Sequence, residues 1–167
     1  MVLPNTYTTR NDTGCCAVPD VEVWRNQVVE FESKHFIRSY VRSLMFVPIN
    51  MSKIMTELNT AASEAGVQMP PEEAMILSRD LSPWKSEQLY AVTKPVVGLD
   101  NVELSGTFAT EVFEGSYNNA KKWFDRMQEI AVERGLKPLE TYFFYTTCPK
   151  CAKHYGKNFV IGFVRLS

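Results

Sequence analysis

At 167 residues, with 45% apolar and 22% charged side chains, the chain has material for one full core or for two half-size units sharing one. Its formal net charge of −1 excludes the strongly basic face that direct binding to nucleic acid requires. No apolar run approaches the roughly 20 residues of a membrane span and residues 1–11 hold no signal-peptide core, so a cytoplasmic location without membrane contact is expected.

Residues 1–20 read as an irregular arm rich in Asn, Asp, Thr, Gly and Pro, with Cys15-Cys16 inside it. The remainder, 21–167, reads as a single domain. Residues 27–32 (QVVEFE) and 36–46 (FIRSYVRSLMF) are rich in β-branched and aromatic side chains and predict strands. A helix follows between Asn50, a candidate N-cap, and Gly66, its terminator. Pro70-Pro71 forbids continuation. Residues 73–78 and 89–96 predict two strands joined by a loop over 79–88. Then 107–113 predicts a strand, 117–134 a helix, and 140–147 and 158–166 the last two strands.

The second helix repeats the first. Ala120, Trp123, Phe124, Met127, Ile130 and Ala131 form one apolar stripe at i, i+3, i+4 spacing. Each lies 69 residues after a counterpart in Met51, Ile54, Met55, Leu58, Ala61 and Ala62, and Gly135 lies 69 after Gly66. The pattern predicts an α+β fold made of duplicated β-α-β-β units, about 36–97 and 104–167. Their strands join in an antiparallel sheet, with two helices packed on one face and a cleft at the pseudo-twofold seam.

Three groups of residues carry candidate chemistry. Glu111 and Glu140 stand among aromatics, with Tyr142 and Phe144 on the same face of their strand as Glu140. A carboxylate beside rings attracts a cationic or polarised aromatic ligand, and a buried acid can protonate or activate a substrate; the plainer fate of a strand Glu is the solvated rim. Trp84 fits no helix or strand period, and is either a plug over the core or one wall of a pocket. Cys148 and Cys151, spaced C-x-x-C with Pro inside, fit a zinc knuckle that Cys15, Cys16 or His154 would complete. The same spacing also suits a redox pair or a plain turn carrying two thiols. No phosphate loop, dinucleotide fingerprint, nucleophile elbow or H-E-x-x-H occurs.

Residues 108–147, with VFEGSYNNAKKWFDRM followed by LETYFFY, resemble the gyrase-inhibitor-like (GyrI-like) small-molecule-binding family, the effector-binding domain of multidrug-responsive regulators. Gly115-Ser116-Tyr117 and Glu140-Thr141-Tyr142 fill its motif places. TGCC near the start, LSPW and TTCPKCAKHYGKN look like a stand-alone branch loosely named hydrolase. The resemblance implies the duplicated fold, and a bulky, often cationic aromatic ligand held at the seam by an acid and aromatic rings. It also implies, for some stand-alone members, hydrolysis of cyclopropane-bearing electrophiles by a cleft Glu with Tyr or Trp. Carried onto this chain, Glu140, Tyr142 and Tyr117 take those roles. The chain has no helix-turn-helix region, so a regulator's role is not implied, and the cysteines lie outside the family pattern.

The leading expectation is therefore a protein that binds a small apolar or cationic aromatic molecule through Trp84, Glu111, Tyr117, Glu140, Tyr142 and Phe144. The alternative is a hydrolase using Glu140, Glu111 and Tyr142. A protein-docking module and a haem protein using His35 or His154 are further readings. No cofactor is required; a structural zinc at the cysteines is one of the readings left open.

Overall fold

The chain runs as β1 (Gln27–Leu44), β2 (Val47–Pro48), α1 (Met51–Glu64), β3 (Ile76–Ser82), β4 (Lys85–Ala91), β5 (Asn101–Glu114), α2 (Ala120–Glu133), β6 (Thr141–Tyr145), α3 (Pro149–Tyr155) and β7 (Phe159–Arg165). Short 3-10 turns lie at Glu22–Trp24, Pro71–Glu73 and Tyr117–Asn119. The computed structural model describes residues 3–14 and 16–167, with Pro149 described by its backbone alone.

β1 is long enough to serve two neighbours. Its first part pairs with β5, from Gln27↔Thr110 to Ile37↔Asn101, and its later part pairs with β4, from Phe36↔Ala91 to Arg42↔Lys85. Every ladder is antiparallel. Following the pairs β1-β4-β3-β6-β7-β5 returns to β1, so six strands close into a barrel, with β2 a short extension beside the end of β1. The first and second parts of the chain meet at two ladders, β1 with β5 and β3 with β6, the latter through Ser78↔Phe143.

Alternation along each strand divides inside from outside. The inner face is filled with rings: Trp24, Phe31, Phe36, Phe108, Phe144 and Phe163 are fully buried and belong to one cluster with Leu77, Leu89 and Ile161. Burial of each such side chain stabilises by about 1.5–3 kcal/mol. The centre of the barrel is thus packed solid.

Both helices pack on the outside. Ile54, Leu58 and Ala62 of α1 cover Ile37 and Val41, while Trp123, Met127, Ile130 and Ala131 of α2 cover Ala109, Val160 and Val164. These are the stripes expected from periodicity, except that Phe124 remains 45% exposed. Gly66 and Gly135 end the helices at φ +67° and +73°, a left-handed conformation that glycine adopts without a Cβ penalty.

Several boundaries differ from the sequence reading. The two strands expected over 27–32 and 36–46 are one continuous β1 with a register shift between Phe31 and Lys34. The loop expected over 79–88 is a tight hairpin, with β3 running to Ser82 and β4 starting at Lys85. Its polar residues sit in strands because Arg79 and Glu87 face one another in register and form an ion pair. The C-x-x-C stretch, read as lying in a turn, opens α3, which ends at Gly156 with φ +75°. Asn50 makes no side-chain cap bond; its Oδ1 instead accepts the backbone N–H of Arg42 at 2.8 Å.

Candidate functional site

The first polar centre lies on the inner face of the barrel. Glu87 sits two residues before Leu89 on β4, so it shares the face that holds the aromatic core, and it is 4% exposed. Arg38 reaches it from β1 at 3.3 Å and Arg79 from β3 at 3.4 Å. Arg38 is further held by Asp100 at 2.8 Å; that hydrogen bond raises its pKa above the ordinary arginine value. The Arg79 guanidinium stands over the Tyr142 ring, 5.4 Å from its centre. Burial pushes the Tyr142 phenol up; Arg79 and Arg165 pull it down, and Glu87 and Glu140 push it up. Glu140 lies beyond it at the rim, 3.7 Å from Arg165. The result is a charged mouth whose floor is aromatic.

A second feature is a cavity of about 290 Å³ on the flank of the barrel, between the first part of β1 and the Met69–Met75 segment. Glu30, Glu32, Lys34, Met69, Glu73 and Met75 line it, and Leu3 and Pro4 of the arm close one side. Burial lowers the pKa of Lys34, while Glu73 acts in the opposite direction. The volume is at the small end of the roughly 300–1,000 Å³ typical of ligand pockets.

The third is a group of sulfurs. Cys16, from the arm, meets Cys148 and Cys151 at the start of α3, all three Sγ atoms within 4.8 Å of one another. The backbone N–H of Cys148 points at Cys16 Sγ at 3.5 Å, and Thr13 Oγ1 lies 3.2 Å from Cys151 Sγ. Tyr155 donates to the Cys16 carbonyl at 2.6 Å, which fixes the arm against α3. Burial raises the Cys16 thiol; the backbone N–H of Cys148 works against the rise, and the side chains of Cys151 and Cys148 add to it. At Cys151 burial works upward, yet hydrogen bonding to Thr13, Cys148 and Cys16 brings that thiol down to about 7. Three sulfurs this close can share one metal ion.

The predicted residues are dispersed over these places. Tyr142 and Glu140 belong to the inner mouth. Phe144 is in the core, edge-on to Tyr7 at 6.0 Å. Glu111 lies on the outer face with Ala109 and Phe113, towards α2, and its Oε1 accepts the N–H of Val112 at 2.8 Å. Tyr117 is edge-on to Tyr145 at 5.4 Å and close enough to Cys148 and Cys16 for their charge to raise its phenol, behind the larger effect of burial. Trp84 occupies the β3–β4 turn and is 54% exposed. His154 is an exposed residue of α3 outside the sulfur group, and His35 faces Glu103 at 3.8 Å on the β1–β5 ladder. Cys15 lies outside the described residues.

Sequence reasoning missed Glu87, Arg38 and Arg79, and the flank cavity altogether. An acid and an arginine at matching positions of two strands was the available signal for the first. The cavity depends on where β1 parts from β4, and no local pattern announces that. Among the described residues no helix is long and apolar enough to cross a membrane.

No curated protein sequence matches the chain. Among solved structures it resembles SAV2435, described bound to tetraphenylphosphonium, with 10% identity, a TM-score of 0.51, and coverage of 86% of this chain and 94% of that one. At such identity the likeness concerns the fold alone. The family model described as bacterial hydrolase matches residues 6–166, nearly the whole chain, and the protein belongs to that family.

Proposed function

We propose that this protein binds a small apolar or cationic aromatic molecule, and that the flank cavity is where it is held. The carrying observation is the lining. Glu30 and Glu73 supply negative charge, Met69, Met75 and Leu3 supply polarisable apolar surface, and Lys34 is the one cation among the described residues that line it. Glu30 and Glu73 are exposed at the edge of the cavity, and carboxylates beside soft apolar groups favour a delocalised cation, which loses little hydration on entering. The relative described with tetraphenylphosphonium and the GyrI-like motif residues support the same ligand class. Titration calorimetry with tetraphenylphosphonium tests the reading. Saturable one-to-one binding, weakened several-fold in Glu73→Gln and further in Glu30→Gln/Glu73→Gln, is expected. Absence of binding, or binding indifferent to both variants, overturns it.

A second reading, hydrolysis, is favoured by the charged mouth and the family description. There Tyr142 would polarise the bond being opened and Glu140 would act as general acid or base. Turnover of an electrophilic cyclopropane probe, abolished in Glu140→Gln and in Tyr142→Phe, is the expected result; binding without turnover decides for the first reading.

A further inference from the structure

We infer that Cys16, Cys148 and Cys151 form a zinc site that clamps the N-terminal arm to the body of the protein. The argument is geometric. The three sulfurs come from segments 132 residues apart, yet converge to within 4.8 Å. A tetrahedral zinc ion with bonds of about 2.3 Å sets its sulfurs about 3.8 Å apart, so a shift on the order of 1 Å completes the set. A disulfide, at about 2.05 Å, would join two of the sulfurs and leave the third with no role. The surroundings suit thiolates. The Cys148 N–H and the Thr13 hydroxyl are placed to donate to sulfur, the kind of outer support that orients ligands on a metal. Cys151 is fully buried and Cys16 and Cys148 half-buried, which shields the ion while leaving it a route in. The fourth position falls to water or to a residue beyond these three.

The position of the site gives it a purpose. Between Leu3 and Cys16 the arm crosses the barrel, where Thr6 and Tyr7 donate to the Glu72 carbonyl and Tyr7 Oη to the Thr146 carbonyl at 2.7 Å. Pinning Cys16 to α3 therefore steadies the same segment whose Leu3 and Pro4 wall the flank cavity. Zinc would act here as a structural staple, with its binding free energy added to the ordering of the arm.

The test uses the full chain, purified anaerobically with a phosphine reductant. Expected are one zinc per chain by elemental analysis and, on Co(II) substitution, a thiolate-to-cobalt charge-transfer band. Cys148→Ser and Cys151→Ser should each lose the band and weaken Zn(II) binding by at least about tenfold, while His154→Ala keeps both. Because Cys151→Ser opens a buried position, circular dichroism of the half-buried Cys148→Ser variant supplies the folded control. Substoichiometric zinc, a band retained in Cys148→Ser, or a mass lowered by a disulfide under these reducing conditions overturns the assignment. Binding of tetraphenylphosphonium is scored separately, so loss of either proposal leaves the other standing.

Discussion

Arg79 stands between Glu87 and Tyr142, with one guanidinium nitrogen 3.4 Å from the carboxylate and the guanidinium carbon 5.4 Å from the ring centre. Glu87 is the common partner of Arg79 and Arg38, and it is the buried member of the trio. Glu87→Gln keeps the shape and removes the charge that both arginines face. Breaking a fully buried pair costs about 3–5 kcal/mol, but these guanidiniums are about 30% exposed, so a loss of about 1–3 kcal/mol is expected in urea denaturation. A midpoint equal to that of the parent protein would show that the cluster is stabilising nothing.

Gly162 offers a sharper structural test. A Cβ there would come within 2.6 Å of Met127 Sδ and 3.1 Å of the Phe113 ring, because α2 is seated directly on β7 at this point. Gly162→Ala must push the helix outward or force Met127 from its rotamer, and about 1–3 kcal/mol of stability is expected to be lost. Chemical denaturation of the purified variant measures it.

Tyr7 ties the arm to β6, and burial, followed by the nearby Cys16, raises its phenol above the ordinary value of 10.0. A group raised in the folded state contributes stability below its unfolded pKa and loses it as pH rises. The contribution is therefore intact below pH 10 and declines above it. Tyr7→Phe should cost about 1 kcal/mol at neutral pH, and its stability should fall less steeply than that of the parent in the alkaline range. Thermal melts between neutral and strongly alkaline pH compare the two slopes.

Lys34 shows the opposite sign. Burial depresses its pKa in the folded state, so folding favours the neutral amine and the penalty of holding it charged is present at neutral pH. The penalty fades as pH rises through the ordinary lysine range of about 10.4. Lys34→Met should raise the melting temperature at neutral pH, with the gain shrinking above that range. On the flank-cavity reading it also tightens tetraphenylphosphonium binding several-fold, because it removes the cation from a lining rich in carboxylates.

The legible parts of this fold are those set by local periodicity. The buried stripes of α1 and α2 and the glycines that end them follow from 3.6-residue spacing and φ > 0 alone, without knowledge of what the helices pack against. The hairpin β3–β4 was illegible for the opposite reason. Asp80, Lys85, Glu87 and Gln88 look like loop residues until the register is known: Glu87 and Gln88 face Arg79 and Ser78 across the hairpin, and their second partners, Tyr40 and Ser39 of β1, are remote in sequence. Closure of the barrel through β1 and β5 is equally non-local. For α3 a signal did exist: Pro149 at the first helical turn and Gly156 just past the last are a matched start and stop. In the candidate sites, Cys148 and Cys151 were marked by spacing, whereas Glu87 carried no motif and emerged only from burial beside two arginines.

A cylinder comes apart where its stitching is thinnest. Among the described residues, β3 and β6 share the single register pair Ser78↔Phe143, against seven pairs between β5 and β7 and nine between β1 and β5. Parting at β3–β6 would leave each half its own helix and swing the halves about the β1–β5 ladder, as covers turn about a spine. The rings now sealed inside would then line an open trough.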